Sequence, residues 1–164
     1  TTTFFCVGNT ILYNIKMATL MMGNIAERLG GIIAVLTGER EKLVLYVLKR
    51  LCRLYDSGTA TTLLVIIAIL SDRIFKQHGC IKTDVVYYLA SVWSLAQKFQ
   101  LDEFIGIKYV ARAACIKRRR LIDFECHIIA LLEYDVHVSK DLYDIYMQKL
   151  AGVPPLAVGI GTGM

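Results

Sequence analysis

The chain has 164 residues, 55% of them apolar and 20% charged, with only two prolines; this balance excludes a mostly disordered chain and fits one domain with a substantial core. Its formal net charge of +5 admits phosphate, nucleic acid or an acidic protein surface as partners. The five cysteines, Cys6, Cys52, Cys80, Cys115 and Cys126, contain no C-x-x-C pair. That argues against a zinc ribbon or a disulfide framework and suits reduced thiols in an intracellular protein of the cytoplasm or nucleus.

Residues 1–8 carry no usable pattern, and nothing near them has the order of a signal peptide. From Asn9 to Leu36, Ile11, Leu12, Ile15, Ala18, Met22, Ile25, Leu29, Ile32 and Leu36 recur at helical spacing. Gly23 and Gly30-Gly31 interrupt them, so two shorter helices are predicted. Met17, Met21 and Met22 read as core filler before they read as an adaptable surface. Residues 1–38 form an N-terminal helical extension. After the break at Thr37-Gly38, a helix starts near Glu39 with Leu43, Val47, Leu51 and Leu54 inward and Lys49, Arg50 and Arg53 late, where cations suit the dipole.

Asp56-Ser57-Gly58-Thr59 is a turn able to cap the next helix. That helix contains ATTLLVIIAIL at 60–70. Even from Ser57 the run is about 14 residues, short of the ~20 a bilayer needs, so it is predicted to be the buried centre of a bundle and no membrane partner is expected. His78-Gly79 stops it. Thr83 caps a helix whose Val85, Leu89, Val92, Ala96 and Phe99 share one face. A brief helix follows from about Glu103 to Cys115. The next helix carries Leu121, Phe124, Ile128, Leu131 and Leu132 on one face and ends near Asp135. Ser139 caps a last helix, Lys140 to Leu150, with Tyr143, Tyr146, Met147 and Leu150 inward. Pro154-Pro155 closes it, and residues 151–164 are expected to be a flexible tail. No strand run or hairpin turn stands out, so the fold class is all-α.

Two charges break apolar faces: Lys98 and Glu125. Leaving both ions among packed helices costs several kcal/mol unless they find partners, and mutual pairing is the least costly arrangement. The alternative is a helix-end cation beside a C-terminal dipole and a solvated carboxylate. Lys117, Arg118, Arg119 and Arg120 place four positive charges immediately before the helix of Glu125. The run is either a solvated turn or an anion-binding patch for phosphate, nucleic acid or an acidic partner. No G-x-S-x-G elbow, H-E-x-x-H helix or phosphate-cradling loop occurs, and Cys126 and His127 beside Glu125 lack further ligands. The expectation is a binding protein, not an enzyme, with no cofactor and no metal.

The charged positions and the helices that hold them resemble a cyclin box, the five-helix regulatory domain of cyclin-dependent kinase partners, over residues 39–150. Arg50 in VLKRLCRLY, Asp72 in LLVIIAILSDRIF, Lys98 in SLAQKF and Glu125 in IDFECHIIALLEYDVHVS stand where that family has an Arg, an Asp, a Lys and a Glu. AQKFQLDEF, GIKYVARAACI and LLEYDVHVS are similar to the fungal phosphate-pathway, P/U-type cyclins, which also tend to have a helix upstream of the box. The chain departs from the pattern at Gln97, where a Ser is usual, and at Ser71, where an apolar residue is usual. The resemblance implies a single box around a buried central helix. It also implies docking to a cyclin-dependent-type Ser/Thr protein kinase through Lys98, Glu125, Phe99 and Ile128, and an internal ion pair between Arg50 and Asp72. The competing class is a cyclin-fold transcription or nucleic-acid-binding module, similar to transcription factor IIB, that would use residues 117–120. Those factors carry two repeats and a zinc ribbon, which this chain lacks, so nucleic acid is the lesser expectation.

Overall fold

Helical periodicity runs through nearly the whole sequence, and the computed structural model is helical to match. It describes residues 2–152, with side chains from residue 14 onward. Among the described residues there are seven helices and no strand: α1 (Thr2–Thr37), α2 (Glu41–Cys52), α3 (Ser57–His78), α4 (Val85–Gln100), α5 (Ile107–Ala114), α6 (Arg118–Leu131) and α7 (Lys140–Ala151). The expected tail beyond Gly152 lies outside the described residues.

One continuous α1 replaces the two short helices predicted. Gly23, Gly30 and Gly31 together cost about 3 kcal/mol relative to alanine. Ile25, Leu29, Ile33 and Leu36 are buried along its inner face, and each such side chain contributes roughly 1.5–3 kcal/mol, so packing carries the helix through its glycines. A Cβ at Gly30 would meet Leu45 at an ordinary 3.8 Å, so the glycine is not what lets α1 approach α2.

Capping fixes the other boundaries. Asp56 accepts from the Thr59 N–H at 2.8 Å to start α3, and Ser139 from the Leu142 N–H at 3.2 Å to start α7. At α4 the cap is Asp84, not Thr83; its carboxylate accepts from the amides of Val86 and Tyr87. Gly79 (φ +70°) ends α3. α5 begins later than expected, at Ile107, because Ile105 is held outside the helix by side chains of α4 and the α2–α3 turn. α6 stops at Leu131, and Glu133 and Tyr134 turn the chain with φ of 52° and 61°, left-handed values that cost a non-glycine residue about 1–2 kcal/mol.

The buried centre is shared by two helices. Residues 63–71 of α3 and 87–97 of α4 are buried on every side. α3 packs on α1, α4 and α7, while α4 packs on α2, α3, α5 and α6. α3, the helix expected at the buried centre, is buried there and shares that position with α4. α3 and residues 14–37 of α1 are long and apolar enough to cross a membrane by length and composition, and two thirds of the α3 stretch is inside the bundle.

Helix C-termini are closed by side chains from other helices. Arg50 on α2 donates to the Ala113 carbonyl at the end of α5 (2.6 Å), and Arg28 on α1 to the Lys149 carbonyl at the end of α7 (2.9 Å). His78 at the end of α3 reaches the Leu131 carbonyl at the end of α6 (3.0 Å). Each satisfies one of the orphan carbonyls that a helix end leaves. Arg73 holds the following loop through the carbonyls of Asp135 (3.0 Å) and His137 (2.7 Å).

Candidate functional site

Where α4 packs on α6, the two charges singled out in the sequence meet. Lys98 Nζ lies 2.5 Å from Glu125 Oε1, and the Ser94 hydroxyl donates to Glu125 Oε2 at 2.7 Å. Ser94 and Lys98 are four residues apart, one turn of α4, so they reach the same carboxylate from stacked positions. The pair is half-open: 33% of the Lys98 side chain and 14% of the Glu125 side chain remain accessible. Lys98 has three donors and a carboxylate has about four acceptor sites. Groups are therefore left for a second molecule at the surface.

The same two helices carry exposed apolar side chains close by in sequence. Phe99, next to Lys98, is 51% exposed, and Ile122, three residues before Glu125 on α6, is 42% exposed. Ile128 belongs elsewhere. It is 1% exposed and part of the core, so the expectation that it contacts a partner is corrected: the helix turns it inward with Leu121 and Leu132.

The expected ion pair of Arg50 with Asp72 does not form. α2 packs on α1, α4 and α5, and α3 on α1, α4 and α7, so the two residues face different seams. Arg50 donates to the Ala113 carbonyl and to the Tyr46 hydroxyl at 3.2 Å, with its guanidinium 5.7 Å from the Tyr46 ring centre. Asp72 accepts from the Tyr146 hydroxyl and pairs with Lys76 at 3.0 Å. Burial pushes the Asp72 carboxyl up, but the Tyr146 and Lys76 hydrogen bonds and the charges of Lys76 and Lys149 outweigh it and hold it below the usual value. Burial, with the hydrogen bond and charge of Asp72, pushes the Tyr146 phenol up to about 12.

The basic run is divided by its geometry. Lys117 is the N-cap of α6 and its amide donates to the Tyr87 hydroxyl at 3.3 Å. Arg120 lies 4.8 Å over the Tyr87 ring, which stacks on Phe124 at 5.0 Å. Arg118 and Arg119 are exposed and enter no ion pair among the described residues. All three arginines stand in a first turn that holds no acid, against the sense of the helix dipole.

Sequence reasoning missed a part-buried polar triangle built on Gln97, the residue before Lys98. The Tyr55 hydroxyl donates to Gln97 Oε1 (2.8 Å), Gln97 Nε2 donates to the Ile105 carbonyl (2.6 Å), and the Ile105 amide donates back to the Tyr55 oxygen (2.9 Å). Ser71, the other departure from the family pattern, accepts from the Tyr88 hydroxyl at 2.8 Å. The available signal was a polar residue on an apolar face, at 97 and at 71. No protein family, no curated protein and no solved structure matches the chain.

Proposed function

We propose that this chain is a regulatory subunit that binds and activates a cyclin-dependent-type Ser/Thr protein kinase through the α4–α6 surface, its helices 39–150 acting as a single cyclin box. The observation that carries the reading is the half-open Lys98–Glu125 pair at 2.5 Å, on two helices that also expose Phe99 and Ile122. A charge pair with unused donors and acceptors inside an apolar patch gives a partner both hydrogen-bonding anchors and a surface to dehydrate. Lys98 and Glu125 would bond backbone groups beside the kinase's mobile regulatory helix and hold that helix so that its glutamate meets the ATP-binding lysine. The chain would contribute no chemistry of its own.

The test is titration of the purified chain against purified cyclin-dependent-type kinases. Phe99→Ala is expected to weaken binding at least about tenfold, the loss typical of an interface anchor, without moving the melting temperature. Lys98→Ala should weaken binding further than its effect on folding accounts for. Affinity unchanged in both variants would overturn the proposal. Retention on duplex DNA at physiological salt, lost when Arg118 and Arg119 are neutralised, would favour the nucleic-acid module instead.

A further inference from the structure

A cleft of about 570 Å³ opens between α1 and α3, within the ~300–1,000 Å³ range of sites that hold a small molecule. The two helices run parallel. The Thr19 hydroxyl meets that of Ser57 at the start of α3 (3.2 Å), and the Leu36 carbonyl accepts from the Ile81 amide just past its end (3.0 Å). Arg28 therefore stands at one end of the cleft and Val35, Leu36 and Phe75 at the other, ~10 Å further along α1 at 1.5 Å per residue. Leu36 is buried and forms the floor, while Ile32, Val35 and Phe75 are 47%, 72% and 44% exposed. That wall gains by being covered with something apolar.

Two charged side chains line the cleft, and they are not equivalent. Asp72 is engaged: its carboxylate accepts from the Tyr146 hydroxyl and pairs with Lys76 at 3.0 Å, and the charge of Lys149 also acts on it. Arg28 uses one of its five N–H donors on the Lys149 carbonyl at 2.9 Å, a neutral acceptor, and enters no ion pair among the described residues. Its guanidinium also rests against the end of α7, where a Cβ at Gly152 would lie 2.9 Å from Cζ. Little rotamer freedom is left for Arg28 to lose when an anion arrives. We propose that the α1–α3 cleft binds a small amphipathic carboxylate, its anion on the Arg28 guanidinium and its hydrocarbon chain along Ile32, Val35 and Phe75. Guanidinium and carboxylate match in charge and in fork geometry. One free cation beside an ionised Asp72 suits a monoanion, and a cationic amphiphile would face Arg28 directly. The cleft carries none of Lys98, Glu125 or Phe99, so the site stands independently of the kinase reading.

Calorimetric titration of the full chain with sodium decanoate, below its micellar range and near neutral pH, tests the site. One-to-one binding is expected, with decan-1-ol at least about tenfold weaker because it cannot form the charge-assisted hydrogen bonds. Arg28→Gln should remove that preference and leave decan-1-ol binding as it was. Ile32→Trp, which fills the cleft and keeps Arg28, should abolish binding of both. Circular-dichroism melts check that the variants fold, and the ligand series on the unmodified chain decides the matter even where a variant does not. Absence of decanoate binding to the unmodified chain overturns the proposal, as does decan-1-ol or decyltrimethylammonium binding as tightly as decanoate. A decanoate affinity that either folded variant leaves unchanged also overturns it, by placing the amphiphile elsewhere on the surface.

Discussion

Removing the charge from Glu125 tests the α4–α6 pair directly. At 2.5 Å the gross attraction is about 1.7 kcal/mol at the dielectric of water and about 6.6 kcal/mol at an effective value near 20. With 33% and 14% of the two side chains accessible, the pair lies between exposed bridges, worth about 0–1 kcal/mol, and buried ones, where losing one partner costs about 3–5 kcal/mol. Glu125→Gln keeps an oxygen for the Ser94 hydroxyl and loses only the charge, so a cost of about 2 kcal/mol is expected. Lys98→Met should cost about 1.5 kcal/mol and the double variant about 2.5 kcal/mol, a coupling of about 1 kcal/mol. For a chain of this size Glu125→Gln then lowers the melting temperature by about 4–8 °C. Urea unfolding of the four proteins, followed by circular dichroism, measures the cycle. Additivity within about 0.5 kcal/mol would mean that the charges do not meet in solution.

Three further outcomes follow from the side-chain contacts. Gln97→Leu strands the Ile105 carbonyl and the Tyr55 hydroxyl and should cost about 2–4 kcal/mol; faster amide exchange at Ile105 would report the loss, and an unchanged urea midpoint would contradict it. Arg50→Ala uncovers the end of α5 and should cost about 1–2 kcal/mol. Asp72→Asn should add to it independently, and a coupling above about 1 kcal/mol in urea unfolding would restore the direct pair. Tyr146→Phe should change how stability responds to pH. Tyr146 is raised to about 12, so its contribution is whole below the unfolded value near 10 and falls as pH rises from there through about 12. Asp72 is lowered, so its contribution is present above its unfolded value near 3.9 and falls as pH drops through the folded one. The stability gap between wild type and Tyr146→Phe should therefore narrow at both extremes, and a constant gap across pH would refute the assignment.

The helices were legible because burial and period coincide: Val85, Leu89, Val92 and Ala96 recur on one face and all four are buried. The places where the reading failed share a cause. α1 runs through its glycines because four buried side chains outweigh a propensity cost, and propensity is visible in a sequence while packing is not. α5 starts late because Tyr55 and Gln97, distant in sequence, hold Ile105 extended. α4 appeared as one amphipathic face, yet residues 87–97 are buried all round. Ser91, Ser94 and Gln97 blurred the apolar pattern, and each is buried with a hydrogen bond.

Of the two charge pairs expected, one forms and one does not, and the difference lies in what a sequence displays. A charge on an apolar face announces that it needs a partner, and Lys98 and Glu125 find each other because α4 and α6 share a seam. Arg50 had the same need and met it with a backbone carbonyl, Ala113, which no residue identity marks. Arg28 does likewise at Lys149 and His78 at Leu131, while Arg73 takes both kinds of partner, the carbonyls of Asp135 and His137 and the Asp135 carboxylate at 3.7 Å. Where helix ends abound, orphan carbonyls compete with carboxylates for the cationic side chains around them. Matching cations to anions along a helical sequence therefore overcounts ion pairs unless the helix ends are placed first.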